Sequence, residues 1–242
     1  MIPPAAAQEP AAVLDLAAGG APLGRTRLVC IDGPAGSGKT TLAARLAEVT
    51  SPTTTAGAGT GRTVAVVHMD DLYDGWSALA GDRAVGLTRR IDAGILTPLA
   101  AGRPGGYRRY DWPTATFAEW HAVPVVDVLV LEGCASAQRA WAGRTALAVW
   151  VEVDRGLRTR RWLERDDDVR AAMQCRDWQV DEDAWFAADG TRARGPPAPV
   201  RHVGRRPVRP GCLAAAPARA PPAGRPSEWS PRRPGRRSRR RP

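Results

Sequence analysis

The sequence predicts a three-layer α/β/α domain with a mainly parallel sheet. Three observations carry that prediction. Several short apolar runs, RLVCI (Arg27–Ile31), VVDVLVL (Val125–Leu131) and ALAVWVEV (Ala146–Val153), lack polar alternation, as strands covered on both faces do. Stretches with helical spacing separate them. The first strand runs directly into a glycine-rich loop and then a helix, which is the order a phosphate-binding loop requires.

Residues 1–24 are rich in Ala, Pro and Gly, with at most a short helix at Ala11–Ala18, and read as a loosely held extension. The domain is expected over 25–194. After Arg27–Ile31, the segment Thr40–Val49 places Leu42, Leu46 and Val49 on one helical face. Ser51–Gly61 is a Thr/Gly/Ala segment, and Thr63–His68 is a second strand that ends at Met69-Asp70-Asp71-Leu72-Tyr73. The long region Asp74–Pro124 is expected to hold a helix near Trp76–Ala80 and the segment GRPGGYRRYDW. Arg155–Arg165 and Trp178–Ala188 read as helices.

From Gly195 onward the chain contains 12 Pro and 13 Arg, with one acid and no lysine. Such a segment cannot bury enough apolar area to offset its chain entropy, so 195–242 is expected to be disordered. It also accounts for the basicity. The net charge is +10, and the tail alone carries +12, so the remainder is slightly acidic. A nucleic-acid footprint is therefore not expected of the domain, only of the tail. The tail consists mainly of the residues that GC-rich codons yield in a shifted frame, which suggests that it replaces a closing apolar strand.

Four scattered cysteines, without Cys-x-x-Cys or Cys/His metal spacing, argue against a disulfide framework or zinc site. No apolar run reaches the roughly 20 residues a bilayer span needs. A cytoplasmic protein is the expectation.

GPAGSGKT, Gly33–Thr40, fits G-x-x-x-x-G-K-[ST]. The glycines let successive amide N–H groups turn toward phosphates, and the following helix adds its positive end. Gly33, Pro34, Ala35, Gly36, Ser37, Gly38, Lys39, Thr40 and Thr41 are the expected nucleotide contacts. Lys39 would reach the outer phosphates and the Thr40 hydroxyl would ligate Mg²⁺. Lys39 is the only lysine in the chain, beside 34 arginines. There is no Asn at all, so an Asn/Thr-Lys-x-Asp guanine reader is absent and ATP is the expected donor.

Carboxylates stand where two strands end, Asp70-Asp71 and Glu132, and ligands in open α/β sheets gather there. Asp70 is the expected base for an acceptor hydroxyl and Glu132 the metal partner. Arg158, Arg161 and Arg165 fall on one helical face, able to clamp a transferring phosphoryl group.

Taken in order, IDGPAGSGKTTLA, VVHMDDLYDGW, GRPGGYRRYDW, VLVLEG, RTRRWLERD and EDAWFAADGTRAR resemble the uridine kinase group of P-loop kinases, in particular its actinobacterial members, over roughly Arg27–Arg194. The resemblance implies a nucleoside/nucleotide kinase-like fold that uses ATP and Mg²⁺ on a small, nucleoside-like substrate. It implies Asp70 as catalytic base near the metal, with Tyr73 completing its segment. It also implies Tyr110, Asp111 and Trp112 as nucleoside contacts, and Arg158, Arg161, Arg165 and Asp166 as the lid. The chain departs from the pattern after Trp112, where Pro113 to Phe117 follow and no His or Arg occurs until His121. Another small hydroxyl acceptor therefore stays open, as does a non-catalytic nucleotide-binding protein with a working basic tail.

Overall fold

The computed structural model describes residues 9–50, 61–165, 169–194 and 200–201. All belong to the first of two units, Met1–Val203; the second, Gly204–Pro242, lies outside the described residues.

Among the described residues, the central sheet has five parallel strands in the order β2-β5-β1-β6-β7. They are β1 (Arg27–Asp32), β2 (Val64–His68), β5 (Val128–Glu132), β6 (Thr145–Glu152) and β7 (Val200–Arg201). Alternate residues of β1 and β5 feed two separate cores, so both faces are covered. Leu28, Cys30, Leu129 and Leu131 enter one core. Val29, Ile31, Val128 and Val130 enter the other. Burying each such side chain contributes about 1.5–3 kcal/mol, which is why these strands tolerate no polar alternation.

The second core is capped by α1 (Pro10–Ala18) through Val13, Leu14 and Ala17, and by α2 (Lys39–Thr50) through Leu42, Ala43 and Leu46. This corrects the expected loose extension over 1–24. Residues Pro10–Ala18 of it form a helix docked on the sheet, because three apolar residues, Val13, Leu14 and Ala17, find a fully buried face. Residues 1–8 lie outside the described residues, as do 51–60.

The first core is capped by α3 (Gly81–Ile91), which continues through one π-helical turn (Asp92–Leu96) into α4 (Thr97–Ala100). Ala84, Leu87, Ile91, Ile95 and Leu99 form its inward stripe. The helix expected near Trp76–Ala80 therefore begins at Gly81 instead. An antiparallel hairpin of β3 (Gly105–Asp111) and β4 (Thr116–Val123) leans on the π turn. Close approach there depends on missing side chains: a Cβ on Gly94 would meet the Gly106 carbonyl oxygen at 2.7 Å.

Helices α5 (Arg155–Arg165) and α6 (Val169–Asp189) complete this layer, followed by α7 (Thr191–Arg194). Helix α6 starts nine residues before the Trp178 start that the sequence suggests. Val200–Arg201 pairs with Val151–Glu152, so a short edge strand stands in the segment expected to be without structure. Residues 195–199 and 202–242 are outside the described residues. Among those described, no helix is long and apolar enough to cross a membrane.

Candidate active site

The loop Gly33–Thr40 sits between β1 and α2 at the carboxyl edge of the sheet. Gly33 has φ 138°, and a Cβ there would lie 2.1 Å from the Val151 carbonyl oxygen, so only glycine fits the first bend. Asp32, the last residue of β1, anchors the loop from behind. Its carboxylate accepts the N–H groups of Gly33 (2.7 Å), Ala135 (3.0 Å) and Ala137 (2.8 Å). Burial pushes its pKa up to about 7, against those hydrogen bonds and the nearby Lys39 ammonium.

Lys39 is buried, and its Nζ donates to the Pro34 carbonyl at 2.9 Å, within 3.8 Å of Cys134 Sγ. Burial alone would favour the neutral amine. The surrounding Cys134, Glu132, Asp32 and Glu182 outweigh it and hold the pKa above its ordinary value, so the ammonium keeps its charge. The Ser37 hydroxyl is buried within the loop without a hydrogen-bond partner.

Thr40 Oγ1 donates to Glu132 Oε1 at 3.1 Å, joining the start of α2 to the end of β5. The same Glu132 oxygen is 2.6 Å from His68 Nδ1. That hydrogen bond raises the His68 pKa, with partial burial opposing it. Among the described residues, no group of three or more His, Cys, Asp or Glu is arranged to hold a metal ion by itself. A hydroxyl and a carboxylate, with phosphate and water oxygens completing the shell, are the hard donor set that Mg²⁺ takes. Thr40 and Glu132 fit it.

Asp70 occupies a 3₁₀ turn, Met69–Asp71, at the end of β2. The hairpin pins this turn twice. Trp112 Nε1 donates to the Asp70 carbonyl at 3.0 Å, and Tyr107 Oη donates to Asp71 at 3.1 Å. Tyr73 Oη donates to the Cys134 carbonyl at 2.8 Å, tying the same segment to the loop after β5.

These groups converge on one cavity of about 270 Å³. Gly36, Lys39 and Thr40 line its loop side, and Asp70 and Glu132 its acidic rim. Its far wall is aromatic: Tyr73, Trp76, Trp112, Trp162 and Trp178. Trp76 packs 4.7 Å from Trp112, and Tyr73 4.9 Å from Trp178, centroid to centroid. A larger cavity of about 400 Å³ runs along β6, but Lys39, Thr40 and Asp70 do not line it.

Several expected residues stand elsewhere. Tyr110 is buried between Trp112 and Phe117 and supports the wall from behind. Asp111 is held by Thr114 (2.6 Å) and Arg109 (3.2 Å), outside the cavity lining. Arg158 is buried in an ion pair with Glu182, and Arg161 donates to the Gly36 carbonyl at 3.3 Å. Arg165 ends α5; Asp166 lies outside the described residues.

Sequence reasoning missed Trp76, Trp162, Trp178, Cys134, Asp32, His68 and Glu182. Nine tryptophans in a chain with only five other aromatic residues were the available signal for the wall. Their positions relative to the loop were not.

No family model and no curated protein matches the chain. Among solved structures it is similar to a possible uridine kinase from Bacillus stearothermophilus, at 19% identity and a TM-score of 0.50. That match covers 70% of this chain and 86% of the other. A candidate fructose transport system kinase from Silicibacter sp. TM1040 matches at 20% identity and a TM-score of 0.44, over 67% of this chain and 85% of the other. The first likeness supports the α/β P-loop fold described above.

Proposed function

We propose that the chain transfers a phosphoryl group from ATP to a hydroxyl of a small molecule, with a pyrimidine nucleoside as the acceptor. One observation carries the reading. A single cavity joins Gly36, Lys39 and Thr40 of the phosphate loop to Asp70 and an aromatic wall.

The loop amides and Lys39 bind the phosphates, and Lys39 stays charged to balance the transferring group. The Thr40 hydroxyl and Glu132 would hold Mg²⁺, which neutralises phosphate charge when bound. Asp70 orients the acceptor hydroxyl and takes its proton. The acceptor oxygen then forms a bond to the terminal phosphorus as the bond from that phosphorus to ADP breaks. Trp112 fixes Asp70 through the turn's own carbonyl, so the base is positioned by backbone and not only by its rotamer.

Aromatic faces suit a planar base, and base–aromatic stacking contributes about 1–3 kcal/mol per base. ATP is favoured over GTP because no Asn-containing guanine-reading loop can be built from this sequence. Three buried free thiols, Cys30, Cys134 and Cys175, accord with a cytoplasmic setting.

The test is transfer of label from γ-³²P-ATP to a panel of nucleosides, sugars and amino alcohols in the presence of Mg²⁺. Labelled nucleoside product is expected. Label on a different alcohol would replace the acceptor and keep the kinase; no acceptor-stimulated ADP release would remove the kinase reading.

A further inference from the structure

Glu182 lies on α6 and is completely buried, 147 positions from the loop it touches. Its Oε2 accepts the Ala35 N–H at 2.8 Å, and its Oε1 accepts Arg158 Nη1 at 2.7 Å. The same Arg158 nitrogen donates to the Ala35 carbonyl at 3.3 Å. One buried ion pair therefore holds both backbone polar groups of Ala35. Next to it, Arg161 holds the Gly36 carbonyl.

A buried ion pair is weak evidence of stabilisation, since an apolar pair of similar volume often does as well or better. What sets this pair apart is where it is spent. In a trans peptide the C=O and the following N–H point in opposite directions. Holding the Ala35 oxygen toward α5 turns the Gly36 N–H away from α5. The Ser37 N–H is already taken, since it donates to the Pro34 carbonyl at 3.3 Å, so Gly36 supplies the crest donor that this arrangement turns outward. Gly36 lines the cavity.

The helices carry a second consequence. Trp162 follows Arg158 by four residues on α5, and Trp178 precedes Glu182 by four on α6, so each shares its partner's helical face. Both tryptophans line the aromatic wall.

Building on the nucleotide-binding reading, we infer that Glu182 and Arg158 are positioning residues. They fix the peptide planes at the crest of the phosphate loop, so that the Gly36 N–H faces the nucleotide. They also set the α5–α6 aromatic wall in register with that crest. Arg158 thus acts on the loop backbone and not as the phosphate clamp that its place on the α5 face suggests.

The test pairs binding with stability. Affinity for N-methylanthraniloyl-ATP is read by energy transfer from tryptophan, and folding by the urea midpoint. The double variant Arg158→Met/Glu182→Met replaces the pair with flexible apolar chains and leaves no unpaired charge. Losing the partners of the Ala35 N–H and C=O should lower its urea midpoint, but it is expected to keep a cooperative transition and to bind the probe about tenfold more weakly, as loss of about one oriented hydrogen bond implies. In turnover the KM for ATP should rise more than kcat falls. Glu182→Gln, which keeps an acceptor for the Ala35 N–H, should bind more tightly than Glu182→Ala.

A folded double variant that binds like wild type overturns the inference. If the double variant loses its cooperative transition, Arg158→Lys decides. Its ammonium keeps the charge but not the guanidinium's reach. Weaker binding at an unchanged midpoint supports positioning, and unchanged binding overturns it. Failure of the wild-type protein to bind the probe would remove the nucleotide reading, and this inference with it.

Discussion

Replacing Lys39 by Met should change how stability depends on pH, as well as abolishing nucleotide binding. Asp32 is the reporter. Burial raises its folded-state pKa from an ordinary 3.8 to about 7, and the Lys39 charge is one of the influences holding it down. The folded state therefore binds one more proton than the unfolded state between about pH 4 and 7. Over that window Asp32's contribution to stability falls as pH rises, by up to about 1.4 kcal/mol per pH unit, and above pH 7 it levels off. Without the ammonium the folded pKa rises further, so the falling stretch extends above 7. The assay is urea unfolding at pH 6.0, 7.0, 8.0 and 8.5. From pH 7 to 8.5, Lys39→Met should lose stability relative to wild type, with a difference that grows by up to about 1.4 kcal/mol per unit. Adding Asp32→Asn to Lys39→Met should abolish the growth. Parallel curves for wild type and Lys39→Met over this range would refute the electrostatic coupling of the loop lysine to its anchor.

Other outcomes follow from single contacts. Tyr73→Phe keeps the aromatic wall but removes the donor to the Cys134 carbonyl, leaving a buried acceptor orphaned. It should lower unfolding free energy by about 1–3 kcal/mol at unchanged m-value, and a loss below about 0.5 kcal/mol would contradict the buried bond. Thr40→Ala removes one of two proposed Mg²⁺ oxygens and should raise the Mg²⁺ concentration for half-maximal turnover about tenfold or more. An unchanged requirement would place the metal elsewhere.

The part of the site that is local in sequence was legible there. Strand β1, the loop and α2 follow one another without interruption, so motif and periodicity together placed them. That Asp70 and Glu132 share a cavity rim with the loop was legible because a parallel sheet brings the carboxyl ends of its strands to one edge. The stretch Asp74–Pro124 was not. Its helix contains a π turn and begins at Gly81, a residue that argues against helix by propensity. Its hairpin pairs Arg108 with Trp120, and a register break before Tyr110 turns Tyr110 and Asp111 off the expected surface. Trp112, one step further, still reaches the turn that carries Asp70.

In the sequence α5 shows only a basic helical face, and α6 only a helix. Their meaning lies in contacts across more than 100 residues, Arg158 and Glu182 to Ala35. No periodicity encodes such pairings. The same limit hid Asp32, which looks like an ordinary strand-end acid until Ala135 and Ala137 bring their N–H groups to it.

In the proposed reaction Asp70 faces the acceptor across a nucleotide held by the loop. The direct measurement is steady-state phosphoryl transfer by Asp70→Asn with the acceptor identified from the panel. A fall in kcat of about 100-fold or more is expected, the scale of a lost general base, with the KM for ATP unchanged. Wild-type turnover by a well-folded Asp70→Asn protein would contradict it.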